Sequence, residues 1–196
     1  MTHVMMRTGQ AVPGQLPLGR PFTRADLDAL PDDGLRHELI DGVLIVSPSP
    51  VHLHQRAVLR TALILEAACP DDLEVLCAPF DVALADDTVM VPDVIAARRS
   101  DFTLKDLPTA PVLAVEVLSP STRRFDLMVK RSRFEAAGCA SFWVVDPDEP
   151  RLVAWDLHDD VYVEVANVVG EEVFEATNPY AVVIRAADLV AERRKS

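Results

Sequence analysis

The feature that most constrains the fold of this chain is a nearly continuous apolar run from Val112 to Leu118, which contains a single acid, Glu116. A short apolar run without alternating polar positions is typical of a strand that is buried on both faces at the centre of a sheet. Burying a lone carboxylate there costs on the order of several kcal/mol, so the acid needs a cationic partner. The sequence therefore predicts a central strand with a buried, paired carboxylate.

Hydrophobic periodicity and turn residues predict the elements around this strand. Thr23 is placed to cap a short first helix, and a long helix is predicted from Val51 to Ala68. Strands are predicted at His37 to Ile40, Val43 to Val46, Leu73 to Ala78, Phe80 to Leu84, Val89 to Ala96, Val112 to Leu118, Phe142 to Val145, Arg151 to Leu157, Val161 to Val165 and Tyr180 to Ile184.

These strands suggest one architecture. The first two flank Asp41-Gly42, a pair that tolerates the positive φ of a two-residue hairpin turn. The next three are expected to be successive antiparallel strands, and the last three an antiparallel extension. The predicted fold is α/β, with a central mixed β-sheet flanked by helices, an N-terminal β-hairpin and antiparallel C-terminal strands.

The 196 residues suit one globular domain, which we place at residues 21–190. Residues 1–20 are expected to form a flexible extension, and residues 191–196 a polar tail. No apolar run has the length of a secretory signal core or a membrane span, so we expect a soluble cytoplasmic protein without a membrane partner. The cysteines lack C-x-x-C spacing, which argues against a structural zinc site and favours buried free thiols.

A lysine in the helix after the central strand is expected to face the core. This helix is predicted from about Arg123 to Ala137, and Gly138 closes it. Lys130 lies at the spacing that marks the buried helical face, shared with Leu127, Phe134 and Ala137.

Three charged residues in apolar surroundings indicate a catalytic site. Asp93 and Glu116 are isolated carboxylates in nearby strand-like runs, and Lys130 is the core-facing cation. Carboxylates are hard oxygen donors suited to magnesium or manganese, and a lysine can stabilise developing negative charge. Together they indicate a metal-dependent hydrolytic site.

An ordered series of short motifs carries a resemblance to a known family. The motifs are His37-Glu38-Leu39-Ile40-Asp41-Gly42, Ser47-Pro48, His54-Gln55, Pro92-Asp93, Glu116-Val117-Leu118-Ser119-Pro120-Ser121, Asp126, Lys130, Gly138 and Trp143-Val144-Val145-Asp146-Pro147. In this order and with these gaps they resemble the Uma-type family of bacterial putative restriction endonucleases. That family lies in the restriction-endonuclease-like superfamily with its PD-(D/E)XK signature. The resemblance covers about Arg20 to Leu189.

The resemblance implies a DNA endonuclease that uses Mg²⁺ or Mn²⁺ to hydrolyse phosphodiesters. Asp93 and Glu116 would be the principal metal ligands, and the carbonyl of Val117 a third donor. Glu38 would complete the ligand set or act through water, while Lys130 would stabilise negative charge or orient the attacking water. The candidate cleft residues are His54, Gln55, Arg123 and Arg124. A homodimer suits this interpretation, because one such site cuts one strand.

The chain departs from the superfamily pattern in two ways. The lysine that usually stands two residues after the second acid is replaced by Leu118, so the resemblance implies a lysine shifted onto the following helix, at Lys130. Where tyrosines are common in the family, this chain has His37, Phe134 and Phe142, so any role of those hydroxyls is absent.

Each candidate residue also has a purely structural interpretation. Asp93 could cap a turn, and Glu116 with Lys130 could form a structural ion pair, which the catalytic interpretation requires as well. For Asp126, a helix-surface salt bridge with Lys130 is the preferred interpretation. His54 is either a cleft residue acting as a proton shuttle or phosphate contact, or a capping or packing histidine.

The charge distribution leaves more than one function open. The net charge is −12, yet residues 98–133 carry +4 and the remainder −16. A basic zone of this kind can hold a polyanion, or it can be an ordinary set of solvated arginines. The alternatives to an endonuclease are a catalytically silent member that binds nucleic acid or a protein, and a hydrolase of a smaller phosphoester.

Overall fold

A computed structural model describes residues 19–47, 49–119 and 126–191. The helices are α1 (Arg24–Asp28), α2 (His52–Ala68) and α3 (Arg131–Ala136), the last continuing from a π-helical turn, Asp126–Lys130. The strands are β1 (Arg36–Ile40), β2 (Val43–Ser47), β3 (Leu73–Cys77), β4 (Asp81–Ala85), β5 (Thr88–Met90), β6 (Val94–Arg98), β7 (Asp106–Leu107), β8 (Leu113–Val117), β9 (Ser141–Asp146), β10 (Arg151–His158), β11 (Val161–Val169), β12 (Val173–Ala176) and β13 (Val182–Arg185).

A six-stranded mixed sheet forms the centre of the fold, in the order β11-β10-β9-β8-β6-β3. β8 and β9 are parallel, and the other neighbouring pairs are antiparallel. All five residues of β8 are buried, which confirms the predicted central strand. Since parallel neighbours need a crossover connection, the chain returns from β8 to β9 through the π-helical turn and α3.

The two faces of this sheet pack against different helices. Val115 of β8 packs in one cluster with Leu65 of α2, while Ala114 packs in another with Phe134 of α3. Successive side chains of a strand point to opposite faces, so Glu116 shares the face of Ala114 and looks toward α3. The predicted mixed sheet flanked by helices is therefore confirmed, and its geometry directs the acid of the central strand toward the lysine-bearing helix.

A second, five-stranded sheet has the order β2-β1-β5-β4-β7. It begins with the predicted β1–β2 hairpin, whose turn residues Asp41 and Gly42 have φ values of 51° and 74°. The prediction of three successive antiparallel strands is wrong, because Val89–Ala96 is not one strand. The chain leaves β5 after Met90 and enters β6, in the other sheet, at Val94.

The remaining differences from prediction are local. The C-terminal strands are antiparallel as predicted, and β10 and β11 extend the central sheet. The last predicted strand, β13, instead pairs with β12, which was not expected, in a separate two-stranded sheet, and β11 continues to Val169. α3 ends at Ala136, so Ala137 is exposed and does not mark a buried face. Cys139 is a buried free thiol as expected, whereas Cys77 is exposed.

Some predictions fall on other parts of the chain. The predicted extension and polar tail lie almost entirely outside the described residues, as do Arg123, Arg124 and the side chain of Leu127. Within the described ranges, no helix has the length and apolar character needed to cross a membrane.

Candidate active site

The four residues proposed for catalysis lie together in one buried cluster. Glu38, Asp93, Glu116 and Lys130 are each at most 2 % exposed. They come from β1, from the link before β6, from β8 and from the end of the π-helical turn. Side chains of this kind are almost never fully buried unless they are paired, so their contacts define the site.

Lys130 joins two of the carboxylates. Its Nζ lies 2.8 Å from Oε1 of Glu38 and 3.0 Å from Oε1 of Glu116. π-helical turns are rare and occur frequently at functional sites, and this one delivers the lysine at its last residue. The Lys130–Glu116 pair is the contact that both the structural and the catalytic interpretation predicted.

Strand register brings Asp93 next to the central strand. Val94 of β6 lies opposite Val115 of β8, so Asp93, one residue earlier, reaches the level of Glu116. The backbone N–H of Val117 donates a 2.8 Å hydrogen bond to Oδ2 of Asp93. The carboxylate is thereby oriented by the strand that carries the second acid.

The first strand of the other sheet contributes an arginine that the sequence interpretation missed. Nη1 of Arg36 donates a 3.0 Å hydrogen bond to Oδ1 of Asp93, and its Nε lies 3.8 Å from Oε2 of Glu38. Residues two apart on a strand share a face, so the position of Arg36 relative to Glu38 was the available signal. Burial alone would lower the pKa of Arg36, but the charges of Glu38, Asp93 and Glu116 raise it above its ordinary range.

Of the predicted cleft residues, His54 contacts the cluster. It lies in the first turn of α2, is 5 % exposed, and its Nε2 is 3.3 Å from Oδ2 of Asp93. Its Nδ1 has no hydrogen-bond partner among the described residues. Gln55 is exposed, and its side chain makes no hydrogen bond or ion pair with the described residues.

The surroundings of Asp93 favour its ionised form. Burial would raise the pKa of this carboxyl group, but the hydrogen bond from His54 and the charges of Arg36 and Lys130 outweigh burial and hold the pKa below its ordinary value. The group is therefore a charged carboxylate across the neutral pH range.

The chemistry of the donors fits a hard divalent cation, whereas their present arrangement does not. Glu38, Asp93 and Glu116 supply carboxylate oxygens, the ligands that Mg²⁺ and Mn²⁺ prefer. Among the described residues, however, no three His, Cys, Asp or Glu side chains are grouped to hold a metal ion. The ammonium of Lys130 lies between two of the carboxylates, and Arg36 occupies an oxygen of the third. A bound cation would have to displace these contacts.

Comparisons with known proteins agree with this architecture. The model of the Uma2 family, described as a putative restriction endonuclease, matches residues 24–186. The fold is similar to the crystal structure of a putative nuclease belonging to DUF820 from Anabaena variabilis, with a TM-score of 0.67 and 18 % sequence identity. The match covers 87 % of this chain and 98 % of that chain. Among curated proteins, no sequence matches this one. Because the family model spans most of the chain, and the fold agrees, the protein belongs to the Uma2 putative restriction endonuclease family.

Proposed function

We propose that this protein is a divalent-metal-dependent phosphodiester hydrolase that acts on DNA as an endonuclease. The observation that carries the proposal is the placement of Asp93, directly before β6, beside Glu116 on the neighbouring strand β8, with the buried ammonium of Lys130 3.0 Å from Glu116. Two acids and a lysine of this kind supply metal ligands and a stabilising charge for phosphodiester hydrolysis. Membership of the family supports the nuclease assignment.

Asp93 and Glu116 would hold the cation, with the carbonyl of Val117 as a third donor and Glu38 completing the set or acting through water. A divalent ion held in this way would supply an acidified water and offset charge on the phosphate. The N–H of Val117 and the contact with His54 keep the Asp93 carboxylate in one orientation. Orienting partners of this kind sustain metal affinity.

Lys130 would stabilise the negative charge that develops on the phosphate or orient the attacking water. It is held from two sides, by Glu38 and by Glu116. A preorganised cation in a site of low dielectric constant contributes several kcal/mol to transition-state stabilisation, on the order of 3 kcal/mol for a single donor. Loss of its charge should therefore reduce turnover more than it reduces substrate binding.

The basic segment of residues 98–133 does not supply a free cationic surface in its described part. Arg99 pairs with Glu74, Lys105 with Asp28, and Arg133 with Asp41. Exposed pairs of this type are weak, worth about 0–1 kcal/mol, and a phosphate can compete for them. To contact DNA, these three cations would have to exchange their carboxylate partners for phosphates.

The second candidate is a catalytically silent member that binds nucleic acid or a protein. Its support is the contact of Lys130 with two carboxylates and of Arg36 with the third, which offsets two of the three negative charges of the cluster without any added cation. The two functions differ in one property. The endonuclease needs saturable divalent-metal binding at Asp93 and Glu116, and the silent binder does not.

The experiment is a cleavage assay on plasmid, linear duplex, branched and single-stranded DNA with Mg²⁺ or Mn²⁺. It compares the wild type with Asp93→Asn and with a matched control, Asp106→Asn. Asp106 is also a buried, paired aspartate, but it lies in the five-stranded sheet and pairs with Arg24. We expect metal-dependent cleavage by the wild type and the control, and none by Asp93→Asn. Equal cleavage by Asp93→Asn, or no cleavage by a folded, metal-bound wild type, would contradict the proposal.

A further inference from the structure

We infer that Arg36 is a phosphate-binding residue, whose guanidinium contacts a DNA phosphate at the mouth of the buried cluster. This inference rests on the proposed nuclease function, since it names the group through which that site meets its substrate. Neither the family description nor the sequence motifs assign a role to this residue. Its support comes from contacts, exposure and the chemistry of the guanidinium.

Arg36 belongs to the cluster and also reaches solvent. Its Nη1 donates a hydrogen bond to Oδ1 of Asp93, yet 26 % of its side chain is exposed. By contrast, the side chain of Lys130 is 1 % exposed and that of His54 is 6 % exposed. Within the described ranges, Arg36 is thus the cation that touches a proposed metal ligand and remains accessible to a macromolecular substrate.

The guanidinium of Arg36 has N–H donors beyond the one that Asp93 accepts. An arginine carries five N–H donors, and among the described residues only Asp93 accepts a hydrogen bond from Arg36. The distance from its Nε to Oε2 of Glu38 is 3.8 Å, which is an ion pair without a hydrogen bond. The remaining donors form the planar fork that binds phosphate oxygens in pairs.

The present partner of Arg36 resembles the proposed ligand. Oδ1 of Asp93 is an anionic oxygen, and a phosphate oxygen is an acceptor of the same kind. Two carboxylates and a phosphate would then share one cation, which stays charged because a guanidinium is not deprotonated in proteins. The arginine can therefore bind phosphate without leaving the cluster.

Other described cations fit this role less well. Arg133 lies on α3 and its guanidinium pairs with Asp41 in the β1–β2 turn. Arg131 lies over the ring of Trp155, with its Cζ 5.0 Å from the ring centroid. Neither has a contact with the three carboxylates.

The test is DNA affinity measured by fluorescence anisotropy on the full chain, with a short labelled duplex and a chelator in place of divalent metal. The affinity is followed over a range of salt concentrations for the wild type, Arg36→Gln and Arg36→Lys. A matched control is Arg151→Gln, because Arg151 is also a partly exposed strand arginine, paired with Glu149 and bonded to Asn167, outside the cluster. Thermal melting checks that each variant is folded.

One lost phosphate contact changes the slope of log K against log salt by about 0.9. We expect Arg36→Gln to make the slope less negative by about that amount, whereas Arg36→Lys and Arg151→Gln keep the slope of the wild type. Because lysine lacks the planar fork, Arg36→Lys should bind more weakly than the wild type at each salt concentration. A role limited to orienting Asp93 would leave the slope unchanged.

Two results would overturn the inference, and they can be told apart. If the wild type binds DNA and Arg36→Gln has the same slope, Arg36 is not a phosphate contact, although the proposed function stands. If the wild type shows no salt-dependent binding, the proposal that DNA is the substrate is contradicted together with the inference. Loss of cleavage in Arg36→Gln with an unchanged slope belongs to the first case.

Discussion

Nζ of Lys130 lies 2.8 Å from Oε1 of Glu38, and the same oxygen accepts a 2.8 Å hydrogen bond from the backbone N–H of Val91. Glu38 is therefore fixed by the residue that follows β5, while it holds the lysine of the π-helical turn. This contact gives the five-stranded sheet a role in the site, because it positions the cation that also pairs with Glu116 on the central strand.

Removal of the buried cation should strongly destabilise the fold. Lys130→Met leaves Glu38 and Glu116 without the ammonium that pairs with both, and breaking one side of a buried ion pair costs about 3–5 kcal/mol. Urea denaturation measures this cost as the change in the free energy of unfolding. The control is Lys105→Met, whose ammonium pairs with Asp28 in an exposed position and should change stability by less than about 1 kcal/mol. Equal losses in the two variants would contradict the buried pairing.

Glu38 and Lys130 should be coupled energetically. A double-mutant cycle with Glu38→Gln and Lys130→Met should give an interaction free energy of about 0.5–3 kcal/mol, since the two side chains are in contact. The cycle uses the same denaturation measurement. Additive effects would mean that the two residues do not stabilise each other.

A glycine in the hairpin turn is required for a close approach to the N-terminal segment. Gly42 has a φ of +74°, and a Cβ at this position would lie 2.5 Å from Cβ of Pro21. Gly42→Ala should therefore cost more than the roughly 1–2 kcal/mol that a left-handed conformation costs a residue with a Cβ.

Gly138→Ala is the matched control for this prediction. Its φ is +80°, but among the described residues no atom beyond its chain neighbours lies within 4 Å of the Cβ position, so the variant loses only the backbone contribution. The difference between the two free energies of unfolding isolates the contact with Pro21. If Gly138→Ala were as destabilising as Gly42→Ala, that contact would have no measurable effect.

Stability should decline at alkaline pH, in part through a buried thiol. Burial raises the pKa of Cys139 from about 9 to about 12. The unfolded chain therefore releases this proton at lower pH than the folded protein, and the group's contribution to stability is complete below pH 9 and is lost as the pH rises from 9 to 12. Within that window the slope contributed by one thiol is about 1.4 kcal/mol per pH unit.

Denaturation at several alkaline pH values checks this prediction with Cys139→Ala. The variant should show a shallower decline than the wild type. Burial also raises the pKa values of Tyr162 and Tyr180, so part of the decline should remain. Cys77→Ala, at an exposed cysteine, should change the slope less. An identical slope in Cys139→Ala and the wild type would contradict the assignment.

The sequence predicted the parts of the fold that depend on local pattern. The unbroken apolar run around Glu116 identifies the central strand, and Asp41-Gly42 identifies the hairpin turn because both residues adopt positive φ. Lys130 was expected to face the core and is buried, although one of the residues used to define that face, Ala137, is exposed past the end of α3. Periodicity weakens at a helix end, where the next residue no longer follows the helical turn.

The parts that were missed depend on contacts between distant segments. Residues 89–96 are apolar enough to resemble one strand, and only Pro92, which has no backbone N–H to donate, signals that the chain changes sheet there. The same change of sheet places Asp93 in the buried link between β5 and β6. Arg36 was missed because its partner Asp93 lies 57 residues further along the chain, in the link before β6, and composition does not reveal such a pairing.

Divalent-metal binding tests the central claim most directly. Chelator-treated protein is titrated with Mn²⁺ in a calorimeter, using the wild type, Glu116→Gln and the control Asp106→Asn, with folding of each checked by circular dichroism. The account predicts saturable binding by the wild type and the control, and an affinity lower by about tenfold or more in Glu116→Gln, because one charged ligand is lost. Absence of binding in the folded wild type, or equal affinity in all three proteins, would contradict it.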